Sequence, residues 1–285
     1  MKLKKRLTIV ISAVWLSMAL IIACFGKCSS VVLAEEQYTN SSEAISADGY
    51  GTMPVGMPLG RAKVMARRAA VVDAQRNLVE TIQGTAVDSE TTVNNFMLTD
   101  DIIKTKVSGV IKGAVVKKEE VTEDGLYHVI MEVPMYGSGS VADIAYNAVI
   151  GNKEPVKLPL PEDNFNESYV AQSGGFTGLV IDASGTGLEK TFCPAIYDTN
   201  GRSIYGVHNV DKDYAILNGI VEYADSVGSY STRAGTDPMI IKIVALKPRV
   251  VNKCDVIISV EDANRLLAEN QRTHFLDRYS VVFLK

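Results

Sequence analysis

The residues able to do chemistry are few and scattered. His128, His208 and His274 lie far apart in the chain. No His-Glu-x-x-His run occurs, and no Cys/His pair has the spacing of a zinc site. Ser229 or Ser231, with His208 and Asp211 or Asp225, supplies the residue types of a nucleophile, a base and its orienting acid. No Gly-x-Ser-x-Gly elbow marks a serine among them, so the triple carries little weight. Gly137-Ser138-Gly139-Ser140-Val141-Ala142 has the spacing of a dinucleotide site, where backbone N–H groups and a helix start face pyrophosphate. It lacks the upstream parallel-strand pattern that such a site requires, and reads as a flexible strand exit. Ser184-Gly185-Thr186-Gly187 with Lys190 offers an anion nest without the Gly-Lys-Ser/Thr of a P-loop, and reads as a turn.

Asp198, Asn200, Asp211 and Asp213 are oxygen donors of the kind calcium takes, at spacings that miss the EF-hand loop. Glu119, Glu120, Glu123 and Asp124 surround a tight turn and read as a solvated hairpin tip, partly balanced by Lys117 and Lys118. Arg67 and Arg68 read as structural, with Asp73 or Glu80 as partners. The expectation is a protein with no catalytic, cofactor-binding or metal-binding residues.

Those side chains must be positioned by elements, and the N-terminal segment says where the elements fold. Lys2, Lys4, Lys5 and Arg6 precede an uncharged, apolar run from Leu7 to Gly26. A basic start before an apolar stretch is a leader for export, and twenty such residues also suffice to span a bilayer. Val32-Leu33-Ala34 before Glu35 suits signal peptidase. Ile21-Ile22-Ala23-Cys24 suits lipoprotein processing, with lipid on Cys24. Soluble release at Ala34, a lipid anchor at Cys24 and an uncleaved anchor all place the folded part outside the cytoplasm. Cutting after Ala34 removes Cys24 and Cys28 together and leaves Cys193 and Cys254 as an even pair, a candidate disulfide in an oxidising compartment. The alternative is two buried thiols. Residues 1–34 hold five basic and no acidic side chains, so their removal takes the formal charge from −4 to −9. An acidic chain does not bind nucleic acid by bulk attraction to phosphate.

The remaining chain, 47% apolar and 22% charged, has enough core for two domains. Residues 35–60 are polar and then rich in Gly, Pro and Met, and read as a tether. Arg61 to Gln83 has no Gly or Pro and many strong helix formers; it predicts a helix closed by Gly84. Its apolar residues form no clean stripe, which predicts cover on more than one side. Val110–Glu120 and Tyr127–Pro134 read as strands about an Asp124-Gly125 turn. The first domain, 61–150, is thus a long helix on an antiparallel sheet. Pro155, Pro159 and Pro161 make 151–172 a linker. The second domain, 173–285, predicts a mixed sheet with two helices, at 211–224 and from the Ser259 cap to about Arg272, and a parallel pair ending in a final strand at 279–284. The fold class is α+β.

The stretch Ala66-Arg67-Arg68-Ala69-Ala70-Val71-Val72-Asp73-Ala74-Gln75-Arg76-Asn77-Leu78 resembles a family of small bacterial surface lipoproteins first named for a twenty-kilodalton antigen. The likeness continues through Val87-Asp88-Ser89-Glu90-Thr91-Thr92-Val93 and Asp124-Gly125-Leu126-Tyr127-His128-Val129, and is shared with the N-terminal domain of flagellar assembly protein T. It spans about Ala47 to Pro134. It implies a helix packed on a small sheet, an envelope location and a structural or assembly role, with no catalytic residues to carry over. The expected function is non-enzymatic, through envelope proteins or self-association, with the membrane met only by the leader or a lipid on Cys24. An alternative is an exported ligand-binding or hydrolytic protein with a cleft in the C-terminal domain near Gly185–Gly187.

Overall fold

In the computed structural model, the described residues are 43–162, 175–226, 233–248 and 250–285. The leader, with Cys24 and the Ala34–Glu35 junction, lies outside them, as do Ser229 and Ser231. No helix among the described residues is long and apolar enough to cross a membrane.

The first difference from the sequence reading falls in the expected tether. Ala44–Thr52 forms strand β1, with Ala47, Gly49 and Gly51 turned inward. Its glycines looked like linker composition, yet they are points of close approach. A Cβ on Gly49 would strike backbone atoms of Ala70 and Ala74, and one on Gly51 would strike those of Ala66 and Ala70. Those alanines belong to α1 (Leu59–Gly84), whose buried residues are Ala62, Ala66, Ala70, Ala74, Leu78 and Ile82. The helix has one buried stripe with a four-residue step, not cover on several sides. Each step overshoots a turn of 3.6 residues by about 40°, so the stripe winds around the helix and escapes a periodicity test.

Helices α2 (Val93–Thr99) and α3 (Asp101–Lys112) follow, and then β2 (Val115–Val121) and β3 (Leu126–Pro134) pair antiparallel about Gly125 at φ 82°. The sheet order is β1-β3-β2. Val129, Met131 and Val133 of β3 point to the core. Both outer strands have treated edges. The Tyr50 N–H donates to Asp73 Oδ2 at 2.9 Å, and Asn77 Nδ2 donates to the Asp48 carbonyl at 2.7 Å. Strand β2 breaks its register between Val116 and Lys118. Helix α4 (Val141–Val149) is N-capped by Ser140.

The Pro-rich stretch is a docked strap in its described part. Val156 N–H donates to the His208 carbonyl, Arg202 reaches the Leu160 carbonyl, and Glu162 N–H reaches Asn264. Beyond it, two sheets replace the single mixed sheet expected. One, ordered β6-β5-β10-β9, combines β5 (Ile196–Asp198), β6 (Ser203–Tyr205), β9 (Ala245–Leu246) and β10 (Val256–Ile258). The other, ordered β7-β11-β4-β8, joins β4 (Gly178–Asp182), β7 (Glu222–Ala224), β8 (Pro238–Lys242) and β11 (Val281–Leu284), parallel throughout. The helix expected at 211–224 stops early: α5 covers Lys212–Asn218, ended by Gly219 at φ 71°. Helix α6 (Val260–Thr273) begins at Ser259, whose side chain accepts from Asp262 N–H as its cap.

The described residues belong to one compact unit, and a single apolar cluster takes in residues before and after the strap. Phe192 meets Tyr136 and Tyr146 edge-on at 6.1 and 5.9 Å, and the Tyr146 hydroxyl donates to the Phe192 carbonyl at 2.8 Å. A core shared in this way couples the two halves. Calorimetry should therefore show one transition, with equal calorimetric and van't Hoff enthalpies; two separated peaks would contradict the shared core.

Candidate functional site

A polar cleft lies where the α1–α2 loop meets the mixed sheet. Asp88 Oδ1 accepts the N–H groups of Glu90 and Thr91, which folds the loop back on itself. The loop then plugs into the second half. Val251 and Asn252 N–H both donate to the Ser89 carbonyl, Asn252 Nδ2 donates to the Asp88 carbonyl, and Cys193 N–H donates to the Val87 carbonyl. Beside this seam is a cleft of about 340 Å³, lined among others by Asp88, Cys193, Tyr197, His208, Lys247 and Asp255. Lys247 is drawn onto the Tyr197 ring, 4.4 Å from its centroid, and toward Asp255 at 3.5 Å. Asp255 is buried and also accepts from Ala195 N–H at 3.0 Å. The charges at the floor therefore hold one another.

Other sequence candidates are placed in structural roles. Asp211 caps α5 by accepting from Tyr214 N–H. Asp198 is buried and accepts from the N–H groups of Asn200 and Arg202 and from Arg202 Nε, which closes the β5–β6 hairpin. Among the described residues no group of three or more His, Cys, Asp or Glu is set to hold a metal ion. At 137–142, where a pyrophosphate would sit, Gly139 N–H donates to Asp143 Oδ2 and Ser140 Oγ accepts from Asp143 N–H. A carboxylate occupies the anion's place. In the 184–187 turn, Ser184 N–H donates to Asp182 and Thr186 N–H to the Ala183 carbonyl. The Ser184 donors hold the Asp182 carboxyl below its ordinary range. Cys193 and Cys254 are both free thiols and both buried. Burial pushes Cys193 well above its ordinary value and Cys254 up to about 12.

A second polar group spans the three-stranded sheet on its outer face. His128 of β3 places Nε2 2.6 Å from Asp48 of β1 and Nδ1 3.4 Å from Glu120 of β2, while its ring stacks on Tyr50 at 4.6 Å. Sequence reading left His128 isolated because its partners appear only once β1 is known to be a strand. Arg67 of α1 pairs with Glu119 of β2 at 2.7 Å, and not with Asp73, whose carboxylate is on Tyr50 N–H. Hydrogen bonds from Lys118, and then from His128, hold Glu120 below the ordinary carboxylate range. Replacing Lys118 by Ala should move the Glu120 titration midpoint, read by NMR, back toward that range. An unmoved midpoint would deny the contact a role.

Comparison with known families divides the chain at the strap. Residues 35–134 match the LPP20 lipoprotein family. Residues 178–285 match a family described as the second domain of Treponema pallidum Tp0624. Among curated proteins no sequence matches the chain.

Proposed function

We propose that this chain is an exported cell-envelope protein with a structural or assembly role, acting through contacts with envelope proteins or with copies of itself. The match of residues 35–134 to a lipoprotein family, beginning where the hydrophobic leader is expected to end, carries this reading. The second match, to a domain of a treponemal protein, supports a bacterial module built for combination with others. The engagement of Asp198, Asp211 and Asp143 in turns and caps favours a non-enzymatic role, since each has a structural task. The leader, or a lipid on Cys24, is its contact with the membrane.

Cell fractionation joined to intact-mass measurement tests the location. The expected mass corresponds to an N-terminus at Glu35, an acylated Cys24 or a retained anchor, in the envelope or extracytoplasmic fraction. Recovery from the cytosol with the leader intact would refute export. Crosslinking in cells tests the role, with a discrete envelope adduct or a self-adduct expected. Turnover on ester, peptide or glycan substrates that is lost in a folded His208→Ala variant would overturn the non-enzymatic reading.

A further inference from the structure

We propose that the outer face of α1 is a docking surface for a membrane rich in anionic phospholipid, a contact additional to the one made by the leader or a lipid on Cys24. That a membrane is at hand rests on the export proposed above; the surface itself rests on the fold alone. The stripe of small residues on α1 packs against β1, so the opposite side of the helix faces out. Arg61, Val64, Met65, Arg68, Val72 and Arg76 lie there, and all six are exposed. At about 100° per residue they share an arc of about 120°. The three apolar side chains are 52%, 44% and 46% exposed, and their helical spacing makes them one patch and not a scatter of single residues.

Charge selects the occupant. Leu59 to Val79 carries five cations against one carboxylate, Asp73, in a chain whose formal charge is −4. Asp73 is turned to the Tyr50 N–H of β1. Among the described residues α1 makes one ion pair, between Arg67 and Glu119. Arg61, Arg68 and Arg76 therefore keep their donors for something outside the chain. An anionic lipid surface fits this mixture of groups. The guanidinium groups meet the phosphates while Val64, Met65 and Val72 enter the acyl boundary, with the arginine stems lying over them. A second copy would bring the same cations face to face in a two-fold contact, which like charges oppose. Thr52 lies opposite Leu126, so the turn with Glu123 and Asp124 leaves the sheet at the same end as the loop before α1. Those carboxylates oppose an end-on approach, which leaves the helix lying along the surface.

Vesicle binding by the chain beginning at Glu35 is the test, since that chain lacks the leader and Cys24 and can meet lipid only through its folded part. Vesicles of equal parts phosphatidylglycerol and phosphatidylcholine should sediment it; phosphatidylcholine alone should not. Arg68→Ala with Arg76→Ala should weaken binding about 20-fold, at roughly a factor of five per cation. Lys153→Ala with Lys157→Ala removes the same charge from exposed positions of the strap and should bind like the parent. Raising the salt from about 0.1 M to 1 M, which shortens screening from about 10 Å to 3 Å, should release most of the protein. The one tryptophan of the chain, Trp15, lies in the leader, so Val72→Trp supplies a single fluorophore. Its emission should shift to the blue on the anionic vesicles, whereas that of Ile240→Trp, at an exposed position of β8, should not. Unchanged melting of each variant separates lost binding from lost fold. No binding to the mixed vesicles, or an equal loss in the two double variants, would overturn the proposal. So would a dimer that the arginine changes dissolve while the vesicles stay bare. Recovery from the cytosol in the fractionation above would refute export and leave the vesicle result to decide the surface.

Discussion

Replacing Arg233 by methionine should lower the free energy of unfolding by about 4 kcal/mol, measured by urea titration. The side chain is 8% exposed and gives its donors to three carbonyls. Nε donates to Tyr279, Nη1 to Asn218 and Nη2 to Gly219, each at 2.9 Å. Two of those carbonyls close the end of α5, where Gly219 turns left-handed. The third belongs to Tyr279, which itself sits at φ 59°. The guanidinium also lies over the Tyr214 ring, 5.6 Å from its centroid. Methionine keeps the apolar stem and takes this donor from the Asn218 and Gly219 carbonyls, each at a cost of about 1–3 kcal/mol when buried, while the Tyr279 carbonyl still accepts from Val281 N–H. Lysine restores a charge but cannot reproduce the planar fork, so Arg233→Lys should recover less than half of the loss. A methionine variant within about 1 kcal/mol of the parent would show that water or a neighbouring group replaces the fork.

The other large effect is expected at Gly49 and Gly51. A methyl group at either site meets helix backbone, which no rotamer change can move aside. Gly49→Ala or Gly51→Ala should cost about 3 kcal/mol, because β1 must lift from α1 along a row of alanines. Gly60 is the matched control: it lies in the first turn of α1 with open space around its Cα. Gly60→Ala should be neutral or stabilise by about 0.5 kcal/mol through helix propensity. Equal effects at Gly51 and Gly60 would mean that the close strand–helix approach does not govern stability. The same urea measurement decides both cases.

These sites differ in how well the sequence announced them. The long helix, the Asp124-Gly125 hairpin and the Ser259 cap depend on residues near in sequence, so local pattern sufficed. Strand β1 did not, because Gly49 and Gly51 are strand residues only when a helix of small side chains lies against them. With β1 unseen, the Asp48–His128–Glu120 group across three strands had no reason to assemble. Arg233 was invisible for a similar reason: its acceptors are main-chain atoms of segments set by Gly219 and Tyr279, and carbonyls leave no trace in a sequence. The four-residue alanine step was legible as composition but not as a face, because its drift defeats a fixed helical period. At the seam, Asp88 and Ser89 lie in a loop, and what they hold comes from a distant part of the chain.

The side chains that close the border of β1 also bear on how copies of the chain meet. Asp73 and Asn77 occupy main-chain groups that a neighbouring molecule's strand would otherwise take. On the opposite border, β2 breaks its register between Val116 and Lys118, which interrupts the template an added strand would need. Copies brought close together are thus less apt to join edge to edge through this sheet, and association there has to use side-chain surfaces.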